Sequence, residues 1–130
     1  MKNVYILIVI GVVLVGSVVF FARGKSVGSP VRVAGTALID TLGKQMVDIR
    51  AKGGYSPRET TAKANMPTVI RVTTDGTFDC SSGITVPALG YRANLPPSGV
   101  TEIPVPPQAP GTELRGLCAM GMYHFTVNFN

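Results

Sequence analysis

From Gln45 onward the apolar residues fall at every second position. In QMVDIRA, Val47, Ile49 and Ala51 alternate with Met46, Asp48 and Arg50, and the stretch runs on to Gly53-Gly54. A two-residue period sends successive side chains to opposite faces of a strand. This segment is therefore expected to bury one face and wet the other. ETTA reads as a short strand closed by a turn at Ala64-Asn65, and PTVIRVTTDG as a β-branched strand ending in an Asp-Gly turn. GITV is another short strand, followed by a loop. In VTEIPV, Val100 and Glu102 oppose Ile103 and Val105, and the prolines suit the edge of a sheet. TELRGLC and YHFTVNF supply the last two strands. About seven short strands spaced by roughly 8–12 residues, with turn residues between them, predict an all-β fold, a β-sandwich of Greek-key type. No segment after Phe21 sustains a helical period, and no internal repeat is present.

The amino-terminal pattern is different. Val4 to Phe21 carries no charge and approaches the roughly 17–25 residues of a helix that crosses a bilayer. It ends in Phe20-Phe21-Ala22-Arg23 without the small-residue pattern of a signal-peptidase site. The expected organisation is a transmembrane anchor or signal-anchor over 1–22, a Gly/Pro-marked linker over 23–44 with a short element near Thr36–Leu42, and a β domain over 45–130. Lys and Arg near a span favour the cytoplasmic side, and Arg23, Lys25 and Arg32 make the carboxyl-terminal flank at least as basic as the amino-terminal one. Charge alone thus leans towards a cytoplasmic domain. The chemistry of the site below instead favours a single-pass protein of the cell membrane with its domain on the extracytoplasmic side.

Net charge is +5, but the basic residues are scattered, with no run and no aromatic interleaving. That gives no support to nucleic-acid binding. G-x-S-x-G, H-E-x-x-H and Walker-type loops are absent, and the carboxylates form no acid/base pair. A binding protein is expected rather than an enzyme.

The chemistry-bearing residues concentrate near the carboxyl terminus. LRGLCAMGMYHFTVNFN sets Cys118, Met120, Met122 and His124 at alternate positions, in a chain with two cysteines, five methionines and one histidine. Thiolates and thioethers are soft ligands that select Cu(I). Cys80 follows the strand 68–74 and Cys118 precedes the last strand, so both can reach one end of a sandwich together with a methionine. Alternatives stand beside this reading. The cysteines of an exported domain can pair as a structural disulfide, giving a stapled module that binds another protein. Met120 and Met122 can be core residues, as Met46 and Met66 are expected to be. His124 fits the outer face of a strand. Asp79, beside Cys80, either orients the site or faces water.

The segments AKGGYSPRETTAKANMPTVIRV, FDCSSGITVPALG and LPPSGVTEIPVPPQAPGTELRGLCAMGMYHFTV resemble, in order and spacing, the cupredoxin-like domains of small bacterial membrane or exported proteins. The resemblance covers about Val47 to Asn130. It implies a copper site in which Cys80 stands where the first histidine of a blue-copper centre lies. Cys118 matches the cysteine of such a centre and Met122 its axial methionine. The second histidine has no counterpart, and Met120 occupies that region. The implied set of Cys80, Cys118, Met122 and Met120 suits Cu(I) better than a blue Cu(II) electron-transfer centre. The expected function is Cu(I) sequestration or delivery, with a copper-donating or copper-accepting membrane protein as partner; the alternatives are a metal-free, disulfide-stapled interaction module or an electron-transfer protein.

Overall fold

The β-branched runs around Val47 and Val72 become neighbouring seven-residue strands of one sheet. In the computed structural model, which describes Met1, Ile6, Ile8 and residues 34–130, the strands are β1 (Ala34–Thr36), β2 (Leu38–Ile39), β3 (Gln45–Ala51), β4 (Tyr55–Ser56), β5 (Glu59–Ala62) and β6 (Thr68–Thr74). They continue with β7 (Gly83–Val86), β8 (Tyr91–Asn94), β9 (Gly99–Val105), β10 (Glu113–Cys118) and β11 (His124–Phe129). Two sheets form. One has the order β1-β5-β11-β10-β7-β8; the other runs β2-β3-β6-β9, with β4 also paired to β3.

The alternation holds residue by residue. Val47, Ile49 and Ala51 of β3, Ile70 and Val72 of β6, and Ile103 and Val105 of β9 are buried. Ile84 and Val86 of β7, Leu114 of β10, and Phe125, Val127 and Phe129 of β11 face them from the other sheet, and all belong to one hydrophobic cluster. On the wet face of β3 and β6, Asp48 stands opposite Arg71 and accepts from its Nε at 2.8 Å. Exposed pairs of this kind contribute at most about 1 kcal/mol. The proline-bearing β9 lies at a sheet edge, as expected.

Three pairings are parallel: β3 with β6, β5 with β11, and β1 with β5. Parallel neighbours need a crossover rather than a hairpin. The crossover from β3 to β6 runs through β5, which lies in the opposite sheet. Gln45 holds this crossover. It is buried, donates from Nε2 to the Lys63 carbonyl at 3.1 Å and to Thr68 Oγ1 at 3.0 Å, and accepts from the Lys63 amide at 2.6 Å.

The folded unit starts upstream of the expected boundary at 45. Residues 34–39, read as linker with a short element near Thr36–Leu42, form β1 in one sheet and β2 in the other, and the Ala37 amide donates to Thr61 O at the corner between them. Ala, Gly and Thr in this stretch show no apolar alternation, so their pairing is decided by the free edges they cover. The anchor expected over 1–22 lies, apart from Met1, Ile6 and Ile8, outside the described residues. Among the described residues no helix is long and apolar enough to cross a membrane.

Candidate metal centre

β7 and β10 run antiparallel, with Cys118 opposite Ile84 and Leu117 opposite Thr85. The start of β7 therefore lies beside the end of β10. A single 3-10 turn, Cys80–Ser82, leads directly into β7. This register is what brings together two cysteines 38 residues apart. Their sulfurs stand 2.7 Å from each other, as free thiols with Cys118 buried and Cys80 half-buried.

Asp79 caps the turn that carries Cys80. Its Oδ1 accepts from the Ser81 amide at 2.8 Å and from the Ser81 hydroxyl, and its Oδ2 accepts from the Gly53 amide at 2.9 Å. One carboxylate thus pins the cysteine turn to the β3–β4 loop. The Ser81 hydroxyl, then the Gly53 and Ser81 amides, hold the Asp79 carboxyl below the usual range. The unfolded carboxylate titrates near about 3.9. The ionised form therefore stabilises the fold above that value, and the stabilisation is lost as pH falls through the lower folded value. Asp79→Asn is expected to lose less stability than the parent between about pH 5 and about pH 2, read from urea midpoints at each pH. Equal losses would mean that Asp79 does not hold the turn.

Cys118 ends β10, and the tight connection to β11 wraps around its sulfur. The Cys118 amide donates to the Tyr123 carbonyl at 2.9 Å, and the Gly121 amide returns to the Cys118 carbonyl at 2.9 Å. Gly121 takes φ 70 at this turn, a left-handed conformation that glycine adopts without steric cost. The turn aims amides at the sulfur: Tyr123 N–H donates to Cys118 Sγ at 3.3 Å, and the Met120 and Met122 amides point the same way. Burial pushes the Cys118 thiol up. The Cys80 S–H and these amides together outweigh it, and Cys118 lies below the ordinary thiol range. Cys80 is raised, chiefly because its proton is shared with Cys118. The pair is thus asymmetric: the surroundings favour the thiolate more at the buried sulfur than at the accessible one.

Tyr55 backs the site. It is buried, donates from its hydroxyl to the Gly83 carbonyl at 3.0 Å, and sets its ring edge-on to Phe125 with centroids 5.2 Å apart. Burial, followed by the negative charge of Cys118, Cys80 and Asp79, raises its phenol far above the ordinary value. It stays a neutral hydroxyl that braces the first residue of β7. The Gly-Tyr opening beside the Cys80 and Cys118 motifs was the signal available for it.

The methionines of the closing turn are not core. Met120 and Met122 are 69% and 66% exposed, on the loop whose amides surround the Cys118 sulfur. Met46 and Met66 are half-buried. His124 is exposed opposite Leu117, in keeping with a strand-surface histidine. Among the described residues no group of three or more His, Cys, Asp or Glu side chains is placed to hold a metal ion.

No protein-family model and no curated protein matches this sequence. Solved structures do share its fold. The metal-binding domain of the Streptococcus pneumoniae Cu(I)-exporting P-type ATPase CopA, solved with Cu(I), is similar with a TM-score of 0.66 and 21% identity over 75% of this chain and 95% of that one. A copper binding protein solved in its apo form by NMR is similar with a TM-score of 0.68 and 24% identity over 76% of this chain and 99% of that one.

Proposed function

We propose that this chain is a copper-binding β domain that takes Cu(I) as cargo between the Cys80 and Cys118 sulfurs, with Met122 as third donor and Met120 as its neighbour. The observation that carries this reading is the convergence of the two cysteine sulfurs at one end of the sandwich, 2.7 Å apart and so having to part to admit an ion, beneath a turn that presents two exposed methionines. Cu(I) is a soft ion that thiolates and thioethers select. Structural zinc, by contrast, takes about four N, S or O donors in tetrahedral array, and among the described residues the cysteines gain no third His, Cys, Asp or Glu. The likeness to the two copper-binding structures supports the same choice. The sandwich is then of the Greek-key, cupredoxin type, with the ion at the end where β7 begins and β10 ends.

In this reading the protein is a binding module rather than an enzyme. The charge-free 4–21 segment anchors it, with the β domain on the extracytoplasmic side, where it sequesters Cu(I) or passes it to a membrane protein. Exposed thioethers suit hand-over, because a donor at the surface can be exchanged for an acceptor's ligand one at a time.

The test is a titration of the reduced, metal-free protein with Cu(I) against a colorimetric Cu(I) chelator of known affinity. The protein is expected to withdraw Cu(I) from the chelator, and Cys80→Ser to withdraw markedly less. Binding no tighter in the parent than in Cys80→Ser would remove the copper reading. It would leave a disulfide-stapled module, which thiol counting under non-reducing conditions identifies.

A further inference from the structure

We propose that Cys80 and Cys118 also work as a dithiol–disulfide couple: a disulfide-bearing oxidant closes them into a bond and expels the cargo, and reduction restores the site. The consequence for cargo rests on the Cu(I) reading above. The formation of the bond does not.

Four features of the site support the couple. The sulfurs are 2.7 Å apart, and a disulfide needs about 2.05 Å, so closure asks for a shift of less than an ångström. The two backbones are already neighbours through the Cys118–Ile84 register, so bonding the sulfurs rearranges no strand. The two thiols differ in access: Cys80 is half-buried and Cys118 buried. An incoming disulfide therefore meets Cys80 first and leaves Cys118 to act second. Finally, the Tyr123 amide donates to the Cys118 sulfur at 3.3 Å and so holds that sulfur in place beside Cys80.

The exchange balances in two steps. Cys80 passes its Sγ proton to Cys118 and attacks one sulfur of R–S–S–R. A Cys80–S–S–R bond forms and RS⁻ leaves. RS⁻ takes the proton from Cys118, whose thiolate attacks Cys80 Sγ, forming the Cys80–Cys118 bond and releasing the second RS⁻. The two cysteine sulfurs lose two electrons in total, and the incoming disulfide gains them, leaving as one thiol and one thiolate. Copper, when present, stays Cu(I) throughout. It loses both anionic donors and passes to the released thiolate or to an acceptor.

The experiment uses the full chain in detergent with oxidised glutathione as the probe, at a series of oxidised-to-reduced glutathione ratios. In the first arm the metal-free protein is quenched with an alkylating agent and weighed. The expected product is the unalkylated chain lighter by two hydrogens, running as a monomer on a non-reducing gel. Cys80→Ser and Cys118→Ser should each stop at a mixed glutathione adduct or unmodified chain. In the second arm oxidised protein is titrated with Cu(I) against the chelator. Its affinity should fall by more than about 100-fold, the upper end of what losing an outer-shell partner of a metal site costs, and return on reduction. A product that remains a mixed adduct, disulfide-linked dimers, or undiminished Cu(I) affinity after closure would each overturn the proposal. Reduced protein that forms the bond but never binds Cu(I) would overturn the copper reading and the release with it, and the mass readout identifies that outcome separately.

Discussion

Cys118→Ser is expected to lower the Cu(I) affinity of the reduced protein by more than about 100-fold, beyond the range seen for outer-shell losses, and by more than Cys80→Ser does. The reason lies in how the sulfur is held. Cys118 is buried, ends a strand paired on both sides, and receives the Tyr123 amide at 3.3 Å. Its sulfur is therefore in position before the ion arrives. A serine hydroxyl is nearly the same size and can accept the same amide, so the turn is expected to persist. Its oxygen is hard and neutral, and a soft ion gains little from it. Cys80 sits on a short turn, half-exposed, and contributes a donor that is less prepared. Chelator competition on both variants, beside urea unfolding to show that the fold is retained, decides the matter. A loss under about tenfold in Cys118→Ser, below even the outer-shell range, would place the copper elsewhere.

The largest loss of stability is expected from Phe125→Ala, about 3–5 kcal/mol. That is a large part of the roughly 5–15 kcal/mol that holds a domain of this kind together. Phe125 is fully buried at the centre of the hydrophobic cluster. Across the ladder its partner is Gly116, and a Cβ there would lie 2.2 Å from two carbons of the Phe125 ring. The ring therefore fills the space the glycine leaves, and its other side meets the edge of Tyr55. Truncation opens a cavity that strand backbones cannot close. It also frees Tyr55, whose hydroxyl braces the start of β7. The same fit predicts that Gly116→Ala costs about 1–3 kcal/mol through overpacking, and that Phe125→Leu relieves part of it in the double variant, because contacting sites are not additive. Urea midpoints of the four proteins test this. Additive losses would mean that the glycine and the ring do not share one space.

Much of the fold could be read locally. A period of two is a property of neighbouring residues, so the buried faces of β3, β6 and β9 follow from Val47, Ile49, Ile70, Val72, Ile103 and Val105 alone. The Asp-Gly turn after β6 and the edge position of β9 were legible for the same reason. β1 and β2 were not. Ala34–Thr36 and Leu38–Ile39 have no pattern that distinguishes a strand from a tether, and they pair because two sheet edges stand open beside them. The site divides in the same way. The residue types at Cys80, Cys118, Met120 and Met122 announce soft-ligand chemistry, whereas the cap made by Asp79 and the brace made by Tyr55 depend on Gly53 and Gly83, distant in the chain.

By itself, then, the sequence determined an all-β domain, the inward faces of its long strands and the softness of its candidate ligands, since composition and alternation are short-range properties of the chain. Only the tertiary structure decided that β3 and β6 run parallel, that residues 34–39 join both sheets, that the closing-turn methionines face outward, and that two distant thiols meet at 2.7 Å. Strand partners and register are chosen by how whole faces bury against one another, and no single segment carries that information.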